Sequence, residues 1–286
     1  MMTLPLATPL IHRSLVRIGG ADRHAFLQGL VSNDVTKSTP TNAVYAALLT
    51  PQGKFLHDLF ILDVHETFLI DCEAARADDL LRRLTAYKLR SKVTFENASN
   101  AFDVWALWNY TPQAPHSFPD PRLPALGMRV FVAKGATPAN ITPADFNAYD
   151  QHRLSQGVAD GSRDMEIEKS TLVESNFDFL NGIDWKKGCY TGQELTARMH
   201  HRALAKKRLF PVRIEGTAPD PGSLLHLGDA EAGQMRSHNG PHGLALLKID
   251  AVHQTLSQEK PLTYAETRLW PSIPLWMKID APPANR

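Results

Sequence analysis

Cysteine is nearly absent from this chain: its 286 residues carry only Cys72 and Cys189, far apart in sequence. That scarcity argues against a disulfide framework and for a reducing compartment. No apolar run approaches the roughly 20 residues needed to span a bilayer. The first residues lack the continuous apolar core of a secretory signal. HExxH, paired CxxC and a complete phosphate-binding glycine pattern are all missing, so neither a resident metal centre nor a nucleotide site is expected. A net charge of +1 makes no global demand for nucleic acid or an anionic membrane. The bacterial cytoplasm is the simplest compartment. The mitochondrial matrix is the alternative, which a short leader broken by leucine and proline does not favour.

The richest chemistry lies in Lys187-Gly188-Cys189-Tyr190-Thr191-Gly192-Gln193-Glu194, followed by Leu195, Ala197 and Arg198. Thr191 and Glu194 have the spacing of a capping box at a helix start. Cys189 then falls just before the first turn, where unpaired N–H groups favour a thiolate, and Lys186 and Lys187 push the same way. Such a thiol suits a nucleophile, a metal ligand or a redox handle. The plainer alternative is a small buried hydrophobe, but glycine, lysine and tyrosine are poor company for one. Gly188 and Gly192 suit a turn and a close backbone approach. From 186 to 208 seven Lys/Arg face the single Glu194, which reads either as a solvated helix face or as an anion site.

Elsewhere the pattern mixes helices with antiparallel hairpins. Asp22 reads as an N-cap, with Phe26/Leu30 and Leu27/Val31 as apolar pairs behind it. Strands are expected at 44–49, 54–63 and 67–71, then a helix over 74–88 and strands at 92–96 and 102–107. Five prolines over 111–124 read as a surface linker. A strand follows at 128–132, and Thr142-Pro143 reads as a cap that opens a helix toward Arg153. Beyond 206, short apolar runs alternate with turn residues, as in a small antiparallel barrel. The class is α+β. The expected division is an α+β unit over 1–110, a linker over 111–124, a second α+β unit over 125–205 and a barrel over 206–286.

The string KGCYTGQE with LTAR resembles the signature of the folate-binding YgfZ type of iron–sulfur cluster maturation protein, a family related to the glycine-cleavage aminomethyltransferase. Gly20-Ala21-Asp22-Arg23, Phe26 to Leu30, Asn33-Asp34-Val35, Thr50 to Lys54, Tyr87 to Arg90 and Asn176-Phe177-Asp178 extend the likeness. The resemblance implies a GcvT-like fold: two α+β units around a central cavity and a C-terminal β-barrel. It implies a tetrahydrofolate or one-carbon derivative as ligand, no permanently bound metal, and iron–sulfur client or assembly proteins as partners. Cys189, Lys187 and His57 would be the reactive residues, with transient iron–sulfur ligation open to Cys189. Asn33, Asp58, Asn176, Asp178, Gly188, Tyr190, Gly192, Gln193, Glu194 and Arg198 would line the cofactor site. Asp178 would accept two hydrogen bonds from a pterin edge. A one-carbon transferase or demethylase acting on a small amine is the alternative function. Aminomethyltransferases, however, carry an acidic pair where this chain has His57-Asp58, and the missing first carboxylate counts against that route, leaving His57 as the acid or base. A scaffold merely stabilised by folate is the second alternative.

Overall fold

The computed structural model describes residues 5–109, 116–202 and 204–279. The chain divides into two compact units, one formed by Met1–Tyr149 with Leu180–Glu194, the other by Asp150–Phe179 with Leu195–Arg286. Both are discontinuous in sequence.

The first unit is built on two five-stranded sheets. In one, Val44–Leu49, Phe55–Asp63, Thr67–Glu73, Arg13–Gly19 and Thr94–Asn97 lie side by side, all antiparallel. Alternate residues of a strand face opposite ways, and this sheet uses both faces. Val16, Ile18, Leu59, Ile61, Phe68 and Ile70 pack with Phe26, Leu27, Leu80 and Leu84 in one apolar core. The helices Arg23–Gln28 and Ala77–Lys88 supply those last four side chains.

A buried charged network links this sheet to the second. The Arg13 Nε donates to Asp71 at 2.6 Å and its NH1 to Asp58 at 2.9 Å. Arg129, on the second sheet's strand Met128–Ala133, pairs with Asp71 and with Asp120. Arg122 closes the set on Asp120 at 2.8 Å. Three arginines thus meet three aspartates, and the Arg129 guanidinium lies 3.6 Å from the centre of the Phe60 ring. Burial of these charges is tolerated because each has an opposite partner.

Three expectations change here. Asp22 does not cap its helix: its carboxylate accepts the Lys92 N–H at 2.7 Å instead. Thr142–Pro143 does not open a helix but pairs as a short parallel edge strand with Leu6–Pro9, an edge being where a residue without an N–H fits. The helix begins later, at Phe146–Ser155. Within the proline-rich stretch, 110–115 lie outside the described residues. Ser117–Pro119 is a strand, and Phe118, Asp120 and Arg122 are buried, so this part is core rather than surface linker.

In the second unit six antiparallel strands close a barrel in the order Lys207–Glu215, His242–Lys248, Ala230–Asn239, Leu224–Leu227, Leu262–Tyr264 and Thr267–Pro271. Phe210, Leu225, Met235, Leu247, Val252 and Leu269 fill it. Its first strand starts beside residue 206, where the turn-rich texture places it. Among the described residues no helix is long and apolar enough to cross a membrane.

Candidate functional site

The Cys189 loop is anchored on both sides of the sulfur. Upstream, the Lys187 ammonium donates to three backbone carbonyls, Gln28 at 2.9 Å, Val31 at 2.6 Å and Asn33 at 2.8 Å. Downstream, the Thr191 N–H donates to the Gly29 carbonyl at 3.1 Å. Cys189 and Gly188 between these anchors are exposed, whereas Tyr190 is buried. Burial draws Lys187 down to about 8, against the pull of Asp34 and Asp184. Its charge is therefore directed at carbonyls, not at the neighbouring thiol.

The helix behind the motif runs over Gln193–His201 and starts two residues after Thr191. The expected capping box gives way to another arrangement, because Thr191 lies two residues before the helix start and Glu194 is already in its first turn. Gln193 reaches back so that its side-chain oxygen accepts the Tyr190 N–H at 3.1 Å, while Glu194 is exposed. Between Thr191 and the helix stands Gly192, whose φ of +81° ends the loop in a left-handed turn. A Cβ on Gly192 would stand 2.5 Å from the Thr50 carbonyl oxygen. Gly188 has open space around it, so the two glycines serve different ends.

Beside this loop lies a groove of about 490 Å³, lined by Asn33, Lys37, Asn181, Ile183, Asp184, Trp185 and Lys186. Asn33 is bound tightly into its wall, donating to the carbonyls of Tyr45 and Asn181 at 2.7 Å each. Asp184 ion-pairs with Lys37 and accepts the N–H groups of Lys186 and Lys187. Against a burial that would raise it, those partners hold its carboxyl below the usual range. Trp185 is 38% exposed on the groove. Trp185 and Lys37 were missing from the sequence-derived set. The signal for Trp185 was an aromatic residue without apolar neighbours, next to two lysines.

Most of the remaining expected residues have partners of their own. His57 and Asp58 are adjacent on the strand Phe55–Asp63, so their side chains point to opposite faces. Asp58 faces Arg13 in the buried network. His57 pairs through Nε2 with Asp79 at 3.0 Å, and its Nδ1 is buried without a partner. Burial and then the charge of Arg76 lower it to about 4, which outweighs Asp79. It is a neutral, enclosed imidazole rather than an acid–base group beside Asp58.

Asn176, Asp178 and Arg198 belong to the other compact unit. Arg208 grips Asp178 through two parallel bonds of 2.9 and 2.8 Å. It also donates to the Asn176 side chain at 3.2 Å, while Asn176 donates to the Leu209 carbonyl at 2.7 Å. Both oxygens of Asp178 are thus engaged inside the chain, and Asp58 keeps only one oxygen, itself buried, without a partner. Taken singly, neither aspartate keeps both oxygens for a pterin edge. Arg198 is exposed on its helix. Among the described residues no group of three or more His, Cys, Asp or Glu side chains could hold a metal ion.

Comparison with known proteins places the chain in a family. Residues 11–114 match the family model described as the GCVT N-terminal domain, and 206–279 match the CAF17 C-terminal beta-barrel domain. The mouse iron–sulfur cluster assembly factor IBA57, a mitochondrial protein, is 34% identical, with 91% of this chain and 84% of that protein covered. The human IBA57, also mitochondrial, is 33% identical, with 92% and 83% covered. The glycine cleavage system aminomethyltransferase T from Bartonella henselae superposes with a TM-score of 0.71 at 12% identity, over 96% of this chain and 87% of that one. That likeness establishes the fold, which is the GcvT-like aminomethyltransferase fold with a closed barrel. The chain belongs to the IBA57 family of iron–sulfur cluster assembly factors.

Proposed function

We propose, with membership of the IBA57 family as the premise, that this protein assists the assembly of iron–sulfur clusters in client enzymes, and that Cys189 is the residue it brings to the cluster. The observation that carries the reading is the contrast between its two thiols. Cys72 is fully buried in the core, where desolvation pushes it up to about 12. Cys189 is exposed on a loop anchored at both ends. A thiolate, not a thiol, binds iron, so Cys189 would release its proton to solvent as the bond to iron forms. The cluster is cargo here. With one accessible thiol among the described residues, the other ligands come from an iron–sulfur assembly or client protein.

The sequence likeness to the YgfZ type is a likeness to a related family. The IBA57 relatives are mitochondrial, so support falls to the matrix rather than to the bacterial cytoplasm. Tetrahydrofolate or a one-carbon derivative is a competing proposal on which no step here depends. A rise in thermal midpoint with anaerobic tetrahydrofolate would support it. For one-carbon transfer, His57 offers weak support as the acid–base group, because it is buried and paired with Asp79.

Complementation tests the main reading. In a strain lacking the protein, Cys189→Ser should fail to restore the activity of [4Fe–4S] enzymes, while Cys72→Ala should restore it. Full restoration by Cys189→Ser would overturn it.

A further inference from the structure

We infer that the turn carrying Gln28, Val31 and Asn33 is a three-carbonyl cation cup that the chain fills with its own Lys187, and that Lys187 is thereby the positioning residue for Cys189. An ammonium has three hydrogens and no acceptor. Here three carbonyl oxygens stand within 2.9 Å of it. Of the three, the Gln28 carbonyl ends the short helix Arg23–Gln28, where carbonyls lack intrahelical partners and carry the negative end of the dipole, and the Val31 and Asn33 carbonyls come from the turn that follows. Three carbonyl oxygens converging on one point form a site that suits a cation with three hydrogens.

Nearby carboxylates do not compete for Lys187. Asp34 is engaged by Gln28 and Thr36, and Asp184 by Lys37 and two backbone N–H groups. The same turn also holds the far side of the loop, through the Gly29 carbonyl and the Thr191 N–H. The Lys187 ammonium further lies 5.1 Å from the centre of the Tyr190 ring. One turn therefore grips residues on both sides of Cys189, and filling the cup fixes where the sulfur is displayed. The importance of that placement rests on the proposed role of Cys189, while the cup itself is tested without any cluster.

Amide hydrogen exchange of the full chain is the direct measurement. In Lys187→Met, exchange at Thr191 and Asp184 should speed up at least tenfold, because their acceptors Gly29 and Ser32 sit in the loosened turn. Lys187→Ala should behave alike, and ethylammonium should restore both the protection and the thermal midpoint in a saturable way. Tetramethylammonium, with the same charge but no N–H, should restore neither. Equal rescue by both cations would reduce the effect to charge screening and overturn the cup. Unchanged exchange in Lys187→Met with slower alkylation of Cys189 would overturn it in favour of thiol activation. A Cys189→Ser protein that still supports clusters would sink the proposed function but leave these exchange results standing.

Discussion

Gly188 and Gly192 flank Cys189 closely, yet alanine at each should have opposite consequences. At Gly192 the φ of +81° puts an L-residue in the left-handed region, at a cost of about 1–2 kcal/mol. The new methyl would also press on the Thr50 carbonyl oxygen at 2.5 Å, Leu49 Cβ at 2.9 Å and Gly53 Cα at 3.0 Å. Two of these are backbone atoms of a hairpin turn, which yields less readily than a flexible side chain. Overpacking of that kind costs about 1–3 kcal/mol. Gly192→Ala should therefore lose roughly 2–5 kcal/mol by urea denaturation. Gly188→Ala meets nothing within 4 Å and has no positive φ, so its stability should stay within about 0.5 kcal/mol. If Gly188→Ala keeps its stability but loses activity in the complementation assay, the open space beside the sulfur belongs to an incoming partner. A Gly192→Ala loss below about 1 kcal/mol, or a Gly188→Ala loss above it, would refute the reasoning.

Two further outcomes are expected. His57 is held near 4 when folded and returns to about 6.5 when unfolded, so between these values the unfolded chain binds the extra proton. Stability should fall by about 3 kcal/mol as the pH drops from 6.5 to 4, and a His57→Gln protein measured over the same range should lack that part of the slope. Asp71→Asn should cost about 3–5 kcal/mol in urea midpoint analysis, because it strips a buried partner from both Arg13 and Arg129. A loss under about 1 kcal/mol would contradict the network.

Local chemistry made much of this molecule legible in advance. Turn residues and short apolar runs marked the barrel, and the glycine-flanked cysteine marked the loop. What escaped were choices made at long range. The aspartate expected to meet a pterin is held by Arg208, 30 residues on, and no local pattern around Asp178 announces that partner. Lys187 looked like an activator of its neighbour because sequence shows neighbours, not the carbonyls of residues 28 to 33. The prolines before Arg122 suggested solvent, whereas the charges among them are buried against Asp71 and Phe60 through Arg129. The separation of His57 from Asp58, by contrast, was readable. Adjacent strand residues cannot share a face, and the period of two required that split before any coordinates.

The discontinuity of the first compact unit has a consequence for how the nascent chain folds. Ser32 and Asn33 leave the ribosome early, but their partners Gly182 and Asn181 lie 150 and 148 residues later, and the ammonium that bonds the Asn33 carbonyl lies 154 residues later. At about 5–20 residues per second, that interval lasts roughly 8–30 s. The strands before residue 150 can pair in that time, and Ser32 and Asn33 already bond Ala47 and Tyr45, but the carbonyls of Gln28, Val31 and Asn33 wait for Lys187. The unit closes only when residues 180–194 arrive, so the cysteine loop is its final seam. A fragment that stops short of residue 180 therefore lacks the partners that close the 28–33 turn.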